Sequence, residues 1–275
     1  MNFEKILEYH QNIWEEVDSK EATDSLLRYY KNIYKNKKKR WFYAFNWAYR
    51  LSNLVKEIEK DSIMLDAACG LGTESVLVAS LGAEVLGIDL NEDKINKAIP
   101  RKSFYERKLG QSLSIDLKNQ NILDLNESNH FDVVWCMEAI SHIYPTDEFF
   151  QTAYNVLKPG GKIIISDPNA LNPIVQYQFI KACGINRGTT TRIDPNTGNE
   201  VEEWNERIRS PFKLAKEMEA KGFKVKEINF HVFFPRFFIF SKESALRIYK
   251  IEKIINRVPF VRGFGGIYTI IAEKV

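Results

Sequence analysis

Two acidic residues and two glycines in this chain are spaced to hold a nucleoside. Asp66, Gly70 and Gly72 fall in the stretch Met64–Ser75, and Asp89 follows on the next apolar run. The stretch begins at Ile63 to Leu65, a short apolar series of the kind that forms a buried strand. It turns through the two glycines and enters Ser75-Val76-Leu77-Val78-Ala79, apolar and of helical length. A strand, a tight turn and a helix N-terminus in that order point backbone N–H groups at a ligand. Glycine, lacking a Cβ, permits positive φ and close backbone approach there. Asp89 closes the run Ala83–Ile88, where a carboxylate can accept hydrogen bonds from ribose hydroxyls.

A dinucleotide fingerprint would need a third glycine, and that position is Ser75. The opening Asp66-x-x-x-Gly70-x-Gly72 instead resembles the first motif of the class I S-adenosylmethionine-dependent methyltransferases. Leu86-Gly87-Ile88-Asp89-Leu90 resembles that family's second motif, and Asn121-Ile122 its adenine-contact pair. Phe131-Asp132-Val133-Val134 is similar to its fourth strand, and Leu157-Lys158-Pro159-Gly160-Gly161-Lys162 to the turn before its fifth. These matches run in order over about a hundred residues. The resemblance implies S-adenosyl-L-methionine as cofactor, with contacts from Asp66, Ala68, Gly70, Gly72, Asp89, Leu90, Asn121, Ile122 and Met137. It also implies an α/β fold: a doubly wound seven-stranded sheet, mostly parallel with the last strand antiparallel, carrying an N-terminal helical lid and a substrate-side insertion.

Transfer of a methyl group from a sulfonium is an in-line displacement, in which the protein mainly positions the reactants and excludes water. The attacking atom must lie about 3 Å from the methyl group. A hydroxyl acceptor gains from a general base, for which histidine suits neutral pH. Of His10, His130, His142 and His231, the best candidate is His142, which follows the fourth strand in Met137-Glu138-Ala139-Ile140-Ser141-His142. Glu138 lies four residues earlier, so on a helical turn the two side chains share a face. A carboxylate beside an imidazole raises its basicity and fixes its tautomer. A satisfied loop histidine is the alternative, after which Tyr105, Tyr144 or His231 come next. A metal-assisted mechanism is disfavoured, because Asp167-Pro168-Asn169 does not reproduce the ligand pattern of magnesium-dependent relatives; no metal is expected. A DNA-amino methyltransferase is disfavoured too, since Cys136-Met137-Glu138-Ala139 stands where its [DN]-P-P-[YFW] motif belongs.

The elements that must position these groups alternate strand and helix, as a parallel sheet requires. The predicted order is strand 63–66, helix 72–81, strand 84–88, helix 91–107, strand 113–118, strand 131–137, helix 146–157 and strand 161–166. Asp66, Asp89, Asn121 and Met137 then fall at or just beyond strand ends, which gathers them at one sheet edge. A long insertion follows, about 168–210, with a helix near 174–182 and a polar loop from Gly188 to Gly198; segments of this kind often carry function. A helix over 211–221, a strand at 224–231 and a last strand at 268–272 complete the domain, taken as 61–275, with a second insertion at about 233–264.

Residues 1–60 read as an N-terminal helical cap. Phe3, Ile6, Leu7, His10, Ile13, Trp14 and Val17 recur at spacings of three and four, which predicts an amphipathic helix over 2–19; Leu26–Tyr34 resumes the pattern. In the family resembled, such a helix lies over the cofactor as a lid, which makes Trp14 a contact candidate, alongside Tyr9 and His10; Trp14 as a core anchor is the other reading. The basic run Lys35–Arg40 precedes Trp41–Trp47. It reads as a solvated turn before a helix with buried aromatics, Trp41, Phe45, Ala48, Leu51, Leu54, Val55 and Ile58 sharing one face. A grip on an acidic substrate or a membrane surface stays open.

An aromatic run, Phe233–Phe240, precedes a helix with Lys242, Arg247, Lys250, Lys253 and Arg257 on one side and Leu246, Ile251, Ile254, Ile255 and Val258 on the other. Such a helix can lie in a membrane interface or pack its apolar face inward. The chain has 275 residues, 44% hydrophobic and 27% charged, enough for a substantial core. A net charge of +3 gives no argument for nucleic acid. Cys69, Cys136 and Cys183 show no paired spacing, the N-terminus lacks a signal-peptide pattern, and no apolar run reaches the roughly 20 residues of a membrane span. A cytoplasmic protein is expected. The expected function is methylation of a small-molecule acceptor, on a hydroxyl of a sugar or surface-polymer precursor. The alternatives are a lipid-like, lipid-linked or quinone acceptor at a membrane surface, or a nucleotide-binding protein without turnover. Oligomeric state is not legible.

Overall fold

Apolar runs bounded by turn residues become the strands of one sheet, as seen in a computed structural model describing residues 1–19, 37–184, 188–193, 200–204 and 207–275. The strands are β1 (Ile63–Ala67), β2 (Glu84–Asp89), β3 (Ile115–Asn119), β4 (Phe131–Met137), β5 (Leu157–Pro168), β6 (Thr189–Ile193), β7 (Glu200–Trp204), β8 (Phe223–His231) and β9 (Ile267–Lys274). The helices are α1 (Phe3–Tyr9), α2 (Gln11–Asp18), α3 (Lys37–Val55), α4 (Thr73–Ser80), α5 (Glu92–Leu109), α6 (Thr146–Val156), α7 (Pro173–Cys183), α8 (Pro211–Ala220) and α9 (Lys242–Ile255). The chain forms two compact units. One comprises Met1–Lys56 with Phe230–Gly266, the other Glu57–Asn229 with Ile267–Val275.

In the second unit the seven strands stand in the order β3-β2-β1-β4-β5-β9-β8. β1 pairs in parallel with both β2 and β4, β2 with β3, and β4 with β5, while β9 runs antiparallel to β5. This is the expected seven-stranded, mostly parallel sheet. Val133–Cys136 and Ile163–Ile165 are wholly buried, the unbroken apolar runs that central parallel strands need. Each such side chain contributes roughly 1.5–3 kcal/mol on burial.

Two expectations for the second unit need correction. Strand β5 starts at Leu157, four residues before the predicted start, so Pro159-Gly160-Gly161 interrupts the strand instead of preceding it. Leu157 pairs with Phe131, the register shifts before Val133, and the Lys158 ammonium clasps both Asp132 oxygens at 2.8 Å. The predicted polar loop from Gly188 contains paired strands: β6 and β7 are antiparallel, because Thr189-Thr190-Thr191 and Ile193 carry β-branched side chains that favour extended backbone. Residues 194–199 of that stretch lie outside the described residues, as do Leu26–Tyr34 and Lys35-Asn36.

In the first unit the helix expected over 2–19 is two helices, α1 and α2, meeting at His10. Asn2 caps α1 by accepting from the Lys5 amide at 2.9 Å. Lys37–Arg40, read as a turn, is instead the first turn of α3, and Arg40 reaches Asp18 with two 3.0 Å hydrogen bonds. Of the face expected behind it, Phe45, Ala48, Leu51, Leu54 and Val55 are buried, whereas Trp41 is half-buried and Ile58 lies beyond the helix end and is half-buried. Phe3 stacks on Tyr249 at 3.8 Å between centroids and meets Phe45 edge-on. His231 stacks on Tyr49 at 4.6 Å, and burial, then the Arg50 charge, pushes its pKa well down. The predicted sides of α9 are revised. Ala245, Ile248 and Glu252 face inward, whereas Ile251, Ile254 and Val258 are exposed. Glu252 accepts the amides of Val232 at 2.9 Å and Phe233 at 2.8 Å, and burial lifts its carboxyl to about 7.

Candidate cofactor and active site

The strand order reverses direction at β1, whose two neighbours are β2 and β4. Ligands of such sheets bind beyond the carboxyl ends of the strands at this switch point. Asp66, Ala68, Gly70, Gly72, Asp89, Leu90, Asn121, Ile122 and Met137 all lie at or just past the carboxyl ends of β1, β2, β3 and β4. The gathering expected from strand spacing is therefore present in the second unit.

The turn after β1 is built from backbone that ordinary residues avoid. Ala68, Gly70 and Gly72 have φ of 61°, 55° and 67°. Gly72 caps α4, and its amide donates to the Cys69 carbonyl at 2.9 Å. The Cys69 amide in turn donates to the carbonyl of Ile88 on β2 at 2.8 Å. A Cβ on Gly70 would meet no atom within 4 Å, so the space in front of the turn is open. Arg101, buried on α5, pins the turn from behind by donating to the Leu71 carbonyl and, at 2.9 Å, to Thr73 Oγ1.

Asp89 is tied into the same structure. Its Oδ2 accepts the Gly70 amide at 2.9 Å and its Oδ1 accepts the Asn91 amide at 2.8 Å. An ionised carboxylate offers about four acceptor positions, so two hydroxyls can still be received. The Asn119 side chain donates to the Asp89 carbonyl at 2.9 Å, joining β3 to the tip of β2. Asn121 accepts the Leu123 amide at 3.1 Å and starts a short 3₁₀ turn over Ile122–Asp124.

Three carboxylates sit around the turn, Asp66, Glu74 and Asp89, all buried. Ser75 Oγ donates to Asp66 Oδ2 at 2.6 Å. Burial, reinforced by the charges of Glu74 and Asp89, nevertheless lifts the Asp66 carboxyl to about 8. Burial also pushes the Cys69 thiol up. This edge fits a ligand with ribose hydroxyls and positive charge: open glycine backbone, a carboxylate with spare acceptor positions, and buried acidic groups that a cation would relieve.

Beyond β4 the geometry departs from expectation. Glu138 has φ of +51°, outside the helical region, and residues 140–142 form a turn. The shared helical face of Glu138 and His142 therefore does not exist, and their four-residue spacing gives no contact by itself. The Glu138 amide donates to the Ser166 carbonyl on β5 at 2.9 Å, and the His142 amide to Ala139 at 2.8 Å. Glu138 is exposed and His142 half-buried. Trp14 belongs to the first unit, where its ring meets Trp41 edge-on at 5.0 Å. Among the described residues no three His, Cys, Asp or Glu side chains gather to hold a metal ion, and no helix is long and apolar enough to cross a membrane.

Sequence reasoning missed Ser75, Glu74, Arg101 and Gly87. A Cβ on Gly87 would come within 2.8 Å of Leu117, 3.1 Å of Cys69 and 3.2 Å of Ser75, so that glycine lets the turn sit against β2.

The fold and this edge define a nucleoside-binding α/β domain of the methyltransferase type. Residues 58–216 match the family model described as a methyltransferase domain. The chain belongs to that family, the class I S-adenosylmethionine-dependent methyltransferases, whose cofactor is S-adenosyl-L-methionine. It is 33% identical over 135 residues to a ubiquinone biosynthesis O-methyltransferase of Coxiella burnetii, covering 48% of this chain and 55% of that protein. It is 34% identical over 106 residues to phosphoethanolamine N-methyltransferase 1 of Arabidopsis thaliana, covering 38% of this chain and 20% of that protein. The chain thus spans about half the length, or less, of these curated relatives. A solved S-adenosylmethionine-dependent methyltransferase of Archaeoglobus fulgidus has the same fold, with a TM-score of 0.57 at 20% identity over 91% of this chain and all of that one.

Proposed function

We propose that the protein transfers a methyl group from S-adenosylmethionine to a hydroxyl oxygen of a small-molecule acceptor. The observation that carries the cofactor half is the Gly70–Asp89 hydrogen bond, which joins an open glycine turn to a carboxylate with spare acceptor positions. The bound cofactor supplies an electrophilic methyl group on a positively charged sulfur. Asp89 receives ribose hydroxyls, Leu90, Asn121 and Ile122 line the adenine side, and Asp66, Ala68, Gly70, Gly72 and Met137 enclose the remainder. Trp14 acts as a lid residue, a role resting on the family resemblance alone.

His142 takes the hydroxyl proton at an imidazole nitrogen as the oxygen attacks. Glu138 assists through its charge, without the helical pairing that its spacing suggested. Oxygen is favoured over nitrogen by the name of the longer of the two matched relatives' segments, an O-methyltransferase. A sugar or surface-polymer precursor is the leading acceptor class. The ubiquinone-biosynthesis name of that relative supports a phenolic or quinone-like acceptor as second reading. A rival without turnover would bind cofactor and transfer nothing. Calorimetric titration with S-adenosylmethionine, followed by a transfer assay over hydroxylated acceptors, separates the two: binding and transfer are expected, and binding alone favours the rival.

A further inference from the structure

The outer side of α9 and the segment that follows it form a second surface with no part in the reaction proposed above. Ile254, in the last turn of α9, is exposed at 65%, and Val258, just past the helix end, at 43%. Beyond the helix, Phe260 is 91% exposed and Phe264 56%. The backbone presents Phe260 at a cost. The Val261 amide donates to the Pro259 carbonyl at 2.8 Å, closing a three-residue turn with Phe260 at its centre, φ 65° and ψ −48°. Such γ-turns with positive φ are rare and strained. A large ring at that apex and almost wholly in water suits neither burial nor backbone preference, and outliers of this kind cluster at ligand contacts.

Within this segment the charge is of one sign. Arg257 and Arg262 are exposed between these apolar side chains, and no acidic residue occurs between Glu252, which is buried, and Glu273. Apolar tips among cations complement a phospholipid surface: rings enter the headgroup boundary while guanidinium groups pair with phosphates. A second copy of this chain would instead bring like charges together on a symmetric contact.

We propose that the segment from Ile254 to Phe264 is a peripheral docking site for anionic lipid bilayers. The attraction combines electrostatics, about fivefold per cation near such a surface, with insertion of Phe260. The test is vesicle flotation of the full chain with phosphatidylcholine alone and with equimolar phosphatidylcholine and phosphatidylglycerol. At low salt the protein should float with the anionic vesicles at least about tenfold more tightly than with neutral ones, and added salt should weaken this. Phe260→Gly suits the positive φ and should leave the unfolding midpoint unchanged or raised. That variant, and R257E with R262E, should each lose most of the bound fraction. Equal flotation with both vesicles, no flotation, or full binding by these folded variants would overturn the proposal. So would a concentration-dependent dimer in sedimentation that Phe260→Gly dissolves without changing flotation.

Discussion

The Gly70 amide donates to Asp89 Oδ2 at 2.9 Å, so the turn after β1 and the acidic tip of β2 are one hydrogen-bonded structure. Asp89 therefore holds the turn, and in the function proposed above it also receives the ribose hydroxyls. Replacing it with alanine should weaken S-adenosylmethionine binding by about 1–3 kcal/mol through lost charge-assisted hydrogen bonds. Titration calorimetry on the folded variant checks this, and an unchanged affinity would remove Asp89 from the site.

Gly70→Val should abolish cofactor binding with only modest damage to the fold. Its φ of 55° costs a side-chain-bearing residue about 1–2 kcal/mol. The added Cβ meets no protein atom within 4 Å, so the valine side chain starts out into the open space in front of the turn. The comparison to make is the unfolding midpoint against cofactor affinity; a variant that binds normally would put the ligand elsewhere.

Asp66 gives a pH prediction. Burial first, then the charges of Glu74 and Asp89, lifts its carboxyl to about 8 in the folded protein. The folded protein then holds a proton that the unfolded chain releases in the ordinary carboxylate range. Stability from this group is full below that range and is lost as pH rises toward about 8. In urea unfolding without cofactor, wild-type stability should fall between pH 5 and pH 8 more steeply than that of Asp66→Asn. Parallel curves for the two proteins would contradict the assignment.

His142→Gln should slow the chemical step by about 10²–10⁴-fold while cofactor affinity stays nearly unchanged. Single-turnover kinetics isolate the step, and an unimpaired variant would leave positioning alone as the source of rate.

The sheet was legible because its central strands are apolar runs and because acidic residues, Asp66 and Asp89, stand at or next to the ends of β1 and β2. The gathering of Asp66, Asp89, Asn121 and Met137 at one sheet edge was legible because strand ends fix positions in space. Arg101 was not, because it reaches Leu71 and Thr73 from a helix some thirty residues away, and no local pattern marks that contact. Gly87 was hidden inside a strand, where its value lies in the side chains packed against it. The pairing of Glu138 with His142 failed for a backbone reason: a φ of +51° at Glu138 cancels the helical geometry on which four-residue spacing depends. For α9 both readings stayed open, because periodicity identifies an apolar side without saying what covers it.

The most direct measurement is transfer of a labelled methyl group from S-adenosylmethionine by the wild-type protein across a set of hydroxylated acceptors, with the product's methylated atom located by mass spectrometry and NMR. Label on an acceptor oxygen, reduced at limiting cofactor in Asp89→Ala and sharply reduced in His142→Gln, is the predicted result. Cofactor binding with no transfer to any acceptor, or label found on nitrogen or carbon, would contradict it.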